Sequence, residues 1–249
     1  MQQQKQLKVL LIGDSCTDEY VYGTCDRINP EAPVPILKYY RVEKRQGMSN
    51  NVRQNLISFG IQVYVITNIE TIVKRRYIDE KYNQQMLRVD HEPSVKPMDY
   101  VIPDEDYDAL IISDYDKGFL TTEKIVELTE SFKGVVFIDT KKDRLPEIDA
   151  YVKINEDEYK KFKNNNNKLI VTKGGKGCEY EGKLYPAEKV NVFDAVGAGD
   201  TFLSALVYFY LNCGTIEEAI PYANKASAIA VSNFGTYVLS KEDVNEICG

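Results

Sequence analysis

A parallel β-sheet covered by helices on both faces, with a small β-sheet beside it, is the α/β architecture that this sequence predicts. Three observations predict it. Short, continuous apolar runs recur along the chain, most of them ending in a polar residue; amphipathic helical patterns lie between them; and two stretches rich in Tyr, Arg, Val and Ile break the alternation. Buried parallel strands read as unbroken apolar runs, and alternating strand and helix imply a parallel sheet between helical layers.

The first run, residues 8–12, ends in Gly13-Asp14. Those at 63–66, 109–112, 135–138, 151–154 and 169–171 follow; the last four lead into Ser113-Asp114, Asp139, Asn155 and Thr172. Polar residues at strand ends stand where open α/β sheets hold ligands. Residues 51–59 place Val52, Asn55, Leu56 and Phe59 on one helical face, and 122–132 do the same with Ile125, Leu128 and Phe132. The C-terminal third reads as a helix over 201–211, a break at Asn212-Cys213-Gly214, and a helix over 216–233. Phe202, Leu206 and Phe209 or Tyr210 line one face of the first of these. The two interruptions, 18–42 and 72–89, have the patchy period-two pattern of exposed antiparallel strands, and Pro30, Pro33 and Pro35 suit edges and turns. They form either a surface excursion or a lid over the strand ends. Asn164 to Asn167 reads as a loop.

With 249 residues and 43% hydrophobic content, the chain can bury about 70–75% of its unfolded surface. The expected organisation is one domain over 1–249, with lid strands inserted at about 18–42 and 72–89. Thirty-one basic against 38 acidic residues give a net charge of −7, so no general field favours nucleic acid or an anionic membrane. The apolar runs fall short of the ~20 residues of a membrane span. The polar start, Met-Gln-Gln-Gln-Lys-Gln, does not read as a signal peptide, and the expected location is cytoplasmic. Five widely spaced cysteines (16, 25, 178, 213 and 248) suit neither a disulfide scaffold nor a zinc site. His91 is the only histidine, so acid-base chemistry falls to carboxylates or lysines rather than to a hydrolase triad.

The sharpest motif is Phe193-Asp-Ala-Val-Gly-Ala-Gly-Asp-Thr-Phe202. Small residues before an amphipathic helix let backbone N–H groups approach an anion at the positive helix end. Asp200 is then either a first-turn carboxylate that merely suits the helix dipole or a general base beside an anion hole. Thr172-Lys-Gly-Gly-Lys-Gly177 follows a strand and is either an ordinary hairpin turn or a phosphate-binding one. The run from Gly177 to Lys183 imitates a G-x-x-x-x-G-K phosphate loop, but Leu184 replaces the required Ser or Thr, and 178–185 reads as a hairpin. Asp14 and Asp18 are either solvated or bind polyol hydroxyls. Gly47, Asn50 and Asn51 suit a helix cap or a hydroxyl-binding turn, and Asn155 to Glu158 suits a helix start or the ordering of water on Mg²⁺.

Together these segments resemble the ribokinase-like (PfkB) family of carbohydrate kinases over nearly the whole chain. The resemblance implies a three-layer α/β/α sandwich with a β lid. It implies that Asp200 is the catalytic base and that the amides of Gly197, Ala198 and Gly199 form the anion hole. Thr172, Gly174, Gly177, Asn155, Asn224 and Lys141 would bind nucleotide, and Glu158 would act in Mg²⁺ placement. The stretches Gly13 to Gly23, Arg27 to Pro35, Asn83 to Asp90 and Ser113 to Gly118 are most similar to the heptose 7-phosphate kinase branch. That likeness implies phosphoryl transfer from ATP to heptose 7-phosphate in the preparation of ADP-heptose for lipopolysaccharide, with Mg²⁺ and K⁺ as cofactors and a homodimer formed through the lid.

By the same resemblance the sugar phosphate lies among Asp14, Asp18, Gly47, Asn50, Asn51 and the lid. Its phosphate meets cations drawn from Lys74, Arg76, Arg88 and Lys117, with Arg88 the first choice. Two departures stand out. Gln46-Gly47 replaces a glycine pair, and an acidic turn, helix and strand are missing after Thr67-Asn68. A kinase for another sugar, or a sugar- or nucleotide-binding protein without activity, are the alternative readings.

Overall fold

The computed structural model describes residues 6–103, 105–163 and 168–249; the expected loop at Asn164 to Asn167 lies outside the described residues. In chain order the elements are β1 (Lys8–Gly13), β2 (Ser15–Ile28), β3 (Pro35–Met48), α1 (Ser49–Ser58), β4 (Gln62–Thr67), β5 (Ile72–Asp79), β6 (Gln84–His91), β7 (Ala109–Asp114), α2 (Thr122–Ser131), β8 (Val135–Thr140), β9 (Tyr151–Asn155), α3 (Glu156–Tyr159), β10 (Leu169–Thr172), β11 (Cys178–Tyr180), β12 (Lys183–Tyr185), α4 (Ala198–Cys213), α5 (Ile216–Val231) and α6 (Lys241–Cys248).

Eight strands form the main sheet in the order β12-β11-β10-β9-β8-β7-β1-β4, and β3-β2-β5-β6 form a second sheet. The six apolar runs of the sequence are the six parallel strands, and β11 and β12 close one edge as an antiparallel hairpin. The hairpin at 178–185 disposes of the phosphate-loop imitation. On one face of the sheet, α1, α4 and α5 cover Val9, Leu11, Ala109, Ile111, Phe137 and Ile170; the other face packs Leu10, Ile12, Leu110, Ile112, Val136 and Ile138 against α2 and irregular chain around Val95, Met98 and Leu145. The resulting three-layer sandwich is that of the resemblance.

Helix ends follow local chemistry. Thr121 caps α2 by accepting from the Lys124 N–H, and Gly214, at φ 88°, ends α4 at the predicted break. Helix α4 is buried continuously from Asp200 to Val207 rather than on one face, because it packs on α1 and α5 as well as on the sheet. Helix α6 was not signalled by apolar periodicity, since Ile247 is its only buried residue, although Ser240 and Asp243 form a capping box at its start.

The second sheet corrects two expectations. Its central pair, β2 and β5, runs parallel, with β3 and β6 antiparallel on the outside. The reason is geometric: β2 continues β1 and β5 continues β4, and β1 and β4 are parallel neighbours. Nor is the pair exposed. Residues 18–23 of β2 are buried, as are Ile72, Arg76, Ile78 and Asp79 of β5, while β6 is exposed along its whole length. This sheet is seated on the body by Phe234, which packs on Tyr20 and Tyr22, and by Arg45, which donates to the carbonyls of Phe234 and Thr236.

No helix among the described residues is long and apolar enough to cross a membrane. All five cysteines are free thiols, and no cluster of three or more metal-ligating side chains occurs among the described residues.

Candidate active site

Because β1, β7, β8, β9 and β10 are parallel, their carboxyl ends deliver Asp14, Asp114, Asp139, Asn155 and Thr172 to one rim of the sheet. The N-terminus of α4 faces that rim across a cavity of about 580 Å³. Its walls include Tyr115, Asp139, Lys141, Lys153, Asn155, the turn from Thr172 to Gly177, the segment from Gly197 to Asp200, and Asn224.

Gly197 is the N-cap of α4, at φ 81° and with no side-chain cap, so the first turn's amides face the cavity without a side chain across them. A side chain at Gly197 would suffer both from the left-handed backbone and from Asn51 Nδ2, 2.8 Å from the position of a Cβ. Asp200 does not spend its carboxylate on the helix end. Tyr115 Oη donates to Oδ1 at 2.7 Å and Asn51 Nδ2 to Oδ2 at 3.0 Å. Burial pushes its carboxyl from an ordinary 3.8 up to about 6; Asp139 adds to the rise, while the two hydrogen bonds and Lys153 oppose it. A carboxylate of that kind, buried at the positive end of a helix, is suited to take a proton near neutral pH.

Lys153 is not among the residues expected from the sequence, although a lysine inside the apolar run Tyr151-Val-Lys-Ile154 is a signal for it. It is buried in β9 with Nζ 2.7 Å from Asp139 Oδ2, and a Cβ on Gly199 would lie 2.9 Å from that ammonium. A buried cation therefore underlies the first turn of α4. Asp139 Oδ1 is buried without a hydrogen-bond partner, 3.8 Å from Lys141 Nζ. Lys141 also pairs with Glu158 Oε1, whose other oxygen accepts the Asn155 N–H at 2.8 Å. The Asn155 side chain in turn accepts from the amides of Asp157 and Glu158. This Asn155-Glu158 unit is thus a capping box that also holds Lys141 against the cavity. Asn224 lines the cavity, but its amide is committed to the carbonyls of Tyr185 and Pro186 at 3.0 and 3.1 Å.

The predicted acceptor residues lie toward the second sheet from Asp200, outside the walls of this cavity. Asp14 is fully buried; Oδ2 accepts the amide of Tyr115 at 2.7 Å and that of Lys117 at 3.4 Å, and Oδ1 has no partner. Burial, with Asp114 beside it, raises its carboxyl to about 6 against the backbone hydrogen bonds that lower it. Asp18 is buried against Arg76, 2.5 Å away, and accepts from Thr236 Oγ1 at 3.2 Å. Gly47 is required by that carboxylate, since a Cβ there would collide with Asp18 Oδ2. The glycine-like backbone of this turn falls at Met48, φ 56° and ψ −135°, and not at Gln46, which is ordinary strand. Asn50 is half-buried beside Asn51, which faces Asp200 and Gly197. Arg88 forms a two-point pair with Asp90 on its own strand, and Lys117 pairs with Glu92. Among the described residues Lys74 carries no ion pair, and its Nζ stands 5.5 Å from the Tyr115 ring centroid.

A family model described as pfkB family carbohydrate kinase matches residues 144–243, the stretch that carries β9, β10, the glycine turn and α4. Over that stretch the chain is similar to the pfkB family of carbohydrate kinases. Among related proteins, Bifunctional protein HldE of a Nitratiruptor species is 27% identical over 96% of this chain and 64% of its own length. That of Campylobacter fetus subsp. fetus is 30% identical over 92% and 64%. The chain thus spans 64% of the length of either relative. The first alignment runs over 299 positions against a chain of 249 residues, so at least 50 positions of that relative have no counterpart here. Among solved structures, ribokinase from Thermotoga maritima superposes with a TM-score of 0.67 at 16% identity, covering 97% of this chain and 99% of its own. Arabidopsis thaliana ribokinase complexed with ribose and ATP gives 0.68 at 13% identity, covering 97% and 98%. These similarities establish the ribokinase-like fold.

Proposed function

We propose that this protein is an ATP-dependent sugar kinase of the pfkB type whose acceptor is a sugar phosphate, heptose 7-phosphate first among them. One observation carries the reading: a buried carboxylate, an uncapped helix N-terminus and a cavity of nucleotide size converge at Asp200. The acceptor rests on the sequence segments that resemble heptose 7-phosphate kinases, and the similarity to the HldE proteins supports it.

In this reading the triphosphate lies along the turn from Thr172 to Gly177, with its γ-phosphate at the amides of Ala198 and Gly199 above Lys153. Asp200 takes the proton of the attacking hydroxyl while its oxygen bonds the γ-phosphorus and the bond to the β–γ bridging oxygen breaks, releasing ADP. Phosphoryl transfer asks mainly for positioning and charge neutralisation, which Lys153, Lys141 and the helix end supply. The residues suit a hydrated Mg²⁺ held mostly by phosphate: Asp139 Oδ1, at the cavity wall, has no hydrogen-bond partner and only a loose pairing with Lys141, whereas both Glu158 oxygens are engaged. When bound, Mg²⁺ neutralises phosphate charge. Of the four candidate cations for the acceptor's own phosphate, Lys74 is the one not already committed to a carboxylate, which favours it over Arg88.

The test is ADP release from ATP·Mg²⁺ with heptose 7-phosphate, other sugar phosphates and neutral sugars. Turnover on heptose 7-phosphate, lost by about 10²–10⁴-fold in Asp200→Asn with nucleotide affinity retained, is the expected result. Turnover on a different sugar keeps the chemistry and moves the acceptor. Absence of turnover with nucleotide still bound makes this a binding protein.

A further inference from the structure

Tyr115 follows the carboxyl end of β7 and belongs to none of the roles assigned above, yet it touches both sides of the site. Its hydroxyl donates to Asp200 Oδ1 at 2.7 Å, and its amide donates to Asp14 Oδ2, also at 2.7 Å. Lys74 Nζ and Lys141 Nζ stand 5.5 and 5.3 Å from its ring centroid. We propose that Tyr115 is a positioning residue for phosphoryl transfer: its hydroxyl fixes the Asp200 carboxylate in the orientation from which it accepts the acceptor's proton, while its backbone fixes Asp14 on the acceptor side. The proposal rests on the kinase reading for the step it serves.

Three physical points support it. A carboxylate has about four lone-pair sites, so with Tyr115 on Oδ1 and Asn51 on Oδ2 the orientation is set and a lone pair is still free for an acceptor hydroxyl. A tyrosine ring is a rigid strut, and this one is wedged between a strand end and the first turn of α4. Burial, then Asp200 and Asp139, push its phenol well above the ordinary range, so it remains a donor at every working pH. The titratable and charged groups that face Asp200 are Tyr115 after β7, Asp139 at the end of β8, Lys141 beyond it, Lys153 in β9 and Cys16 in β2. Of these, Tyr115 alone is hydrogen-bonded to the carboxylate among the described residues.

The test is a ¹³C-carboxyl NMR titration of the full chain, wild type against Tyr115→Phe, with Asp200→Asn identifying the signal. Removing one donor to a buried carboxylate should raise the Asp200 midpoint by about one pH unit, and the acid limb of the kcat/KM profile should move with it while the KM for ATP stays. An unmoved midpoint overturns the proposal. A residue that served only packing would lower the melting temperature and leave the midpoint in place. The titration needs no acceptor, so failure of every sugar to react would refute the kinase reading without touching this result, and an unmoved midpoint in an active enzyme would refute Tyr115 alone.

Discussion

The proposed nucleotide and acceptor halves of the site are built on opposite plans. On the nucleotide side, strand ends, a glycine turn and a helix N-terminus surround an open cavity of about 580 Å³, and the polar groups face into it. On the acceptor side, Asp14, Asp18 and Arg76 are buried at 0, 4 and 6% exposure, and Asp18 is already satisfied by Arg76 and Thr236. The first half is an open cavity lined by a glycine turn, a helix end and the side chains of Asp139, Lys141 and Lys153. The second is a packed polar core that couples the second sheet to the body. Changes in the first should alter binding of nucleotide with little effect on stability, whereas changes in the second should alter stability first.

The sharpest way to break this contrast is to remove one partner of the buried pair. Arg76→Ala leaves Asp18 charged and buried, which costs about 3–5 kcal/mol when a buried ion pair is broken on one side. The matching change across the site, Lys141→Met, affects a side chain that is 31% exposed, and partly exposed pairs contribute about 1 kcal/mol or less. Urea unfolding of both variants decides the matter. Equal losses would mean that the two halves are equally preorganised. The double change Arg76→Met with Asp18→Asn should recover most of the loss, because it removes the uncompensated charge rather than the packing.

The same contrast explains what was readable from the sequence. The nucleotide half is made of contiguous motifs, so Thr172 to Gly177, Asn155 to Glu158 and Gly197 to Asp200 could be recognised where they stand. The six strands were equally plain, since a continuous apolar run states its own burial. The acceptor half depends on pairs far apart in the chain. Arg76 and Asp18 are 58 residues apart and Tyr115 and Asp200 are 85 apart, and neither pairing leaves a local pattern. The parallel pairing of β2 with β5 is a property of the sheet order, and lone strands do not reveal it. Lys153 failed for another reason: inside an apolar strand a single lysine reads as noise until Asp139 is seen beside it.

Asp200 links the halves and sharpens the comparison through pH. Its carboxyl is raised from 3.8 to about 6, so the folded protein binds more protons than the unfolded chain between about pH 4 and 6, and its stability falls as pH rises through that window. The full rise corresponds to about 3 kcal/mol at most. Asp200→Asn should therefore be more stable than wild type at pH 7, by about 1–3 kcal/mol, and the difference should vanish below about pH 4. Thermal unfolding across pH checks this. A variant less stable at pH 7 would mean that Tyr115 and Asn51 overcompensate the burial of the charge, and that the catalytic centre carries no strain.

The smallest effect expected concerns which cation would meet the phosphate of the proposed sugar-phosphate acceptor. Arg88 is already matched by Asp90 through two hydrogen bonds, at 43% side-chain exposure, so reversing its charge removes little that a substrate could use. Lys74 has no carboxylate partner among the described residues and stands over the ring of the tyrosine that holds Asp200. Lys74→Glu should raise KM for a sugar phosphate by about tenfold or more while leaving KM for a neutral sugar within about threefold, and Arg88→Glu should change both alike. If Arg88→Glu alone discriminated between them, the phosphate would lie along the exposed β6 strand. The acceptor half would then extend out over the lid instead of ending at the buried core around Asp18.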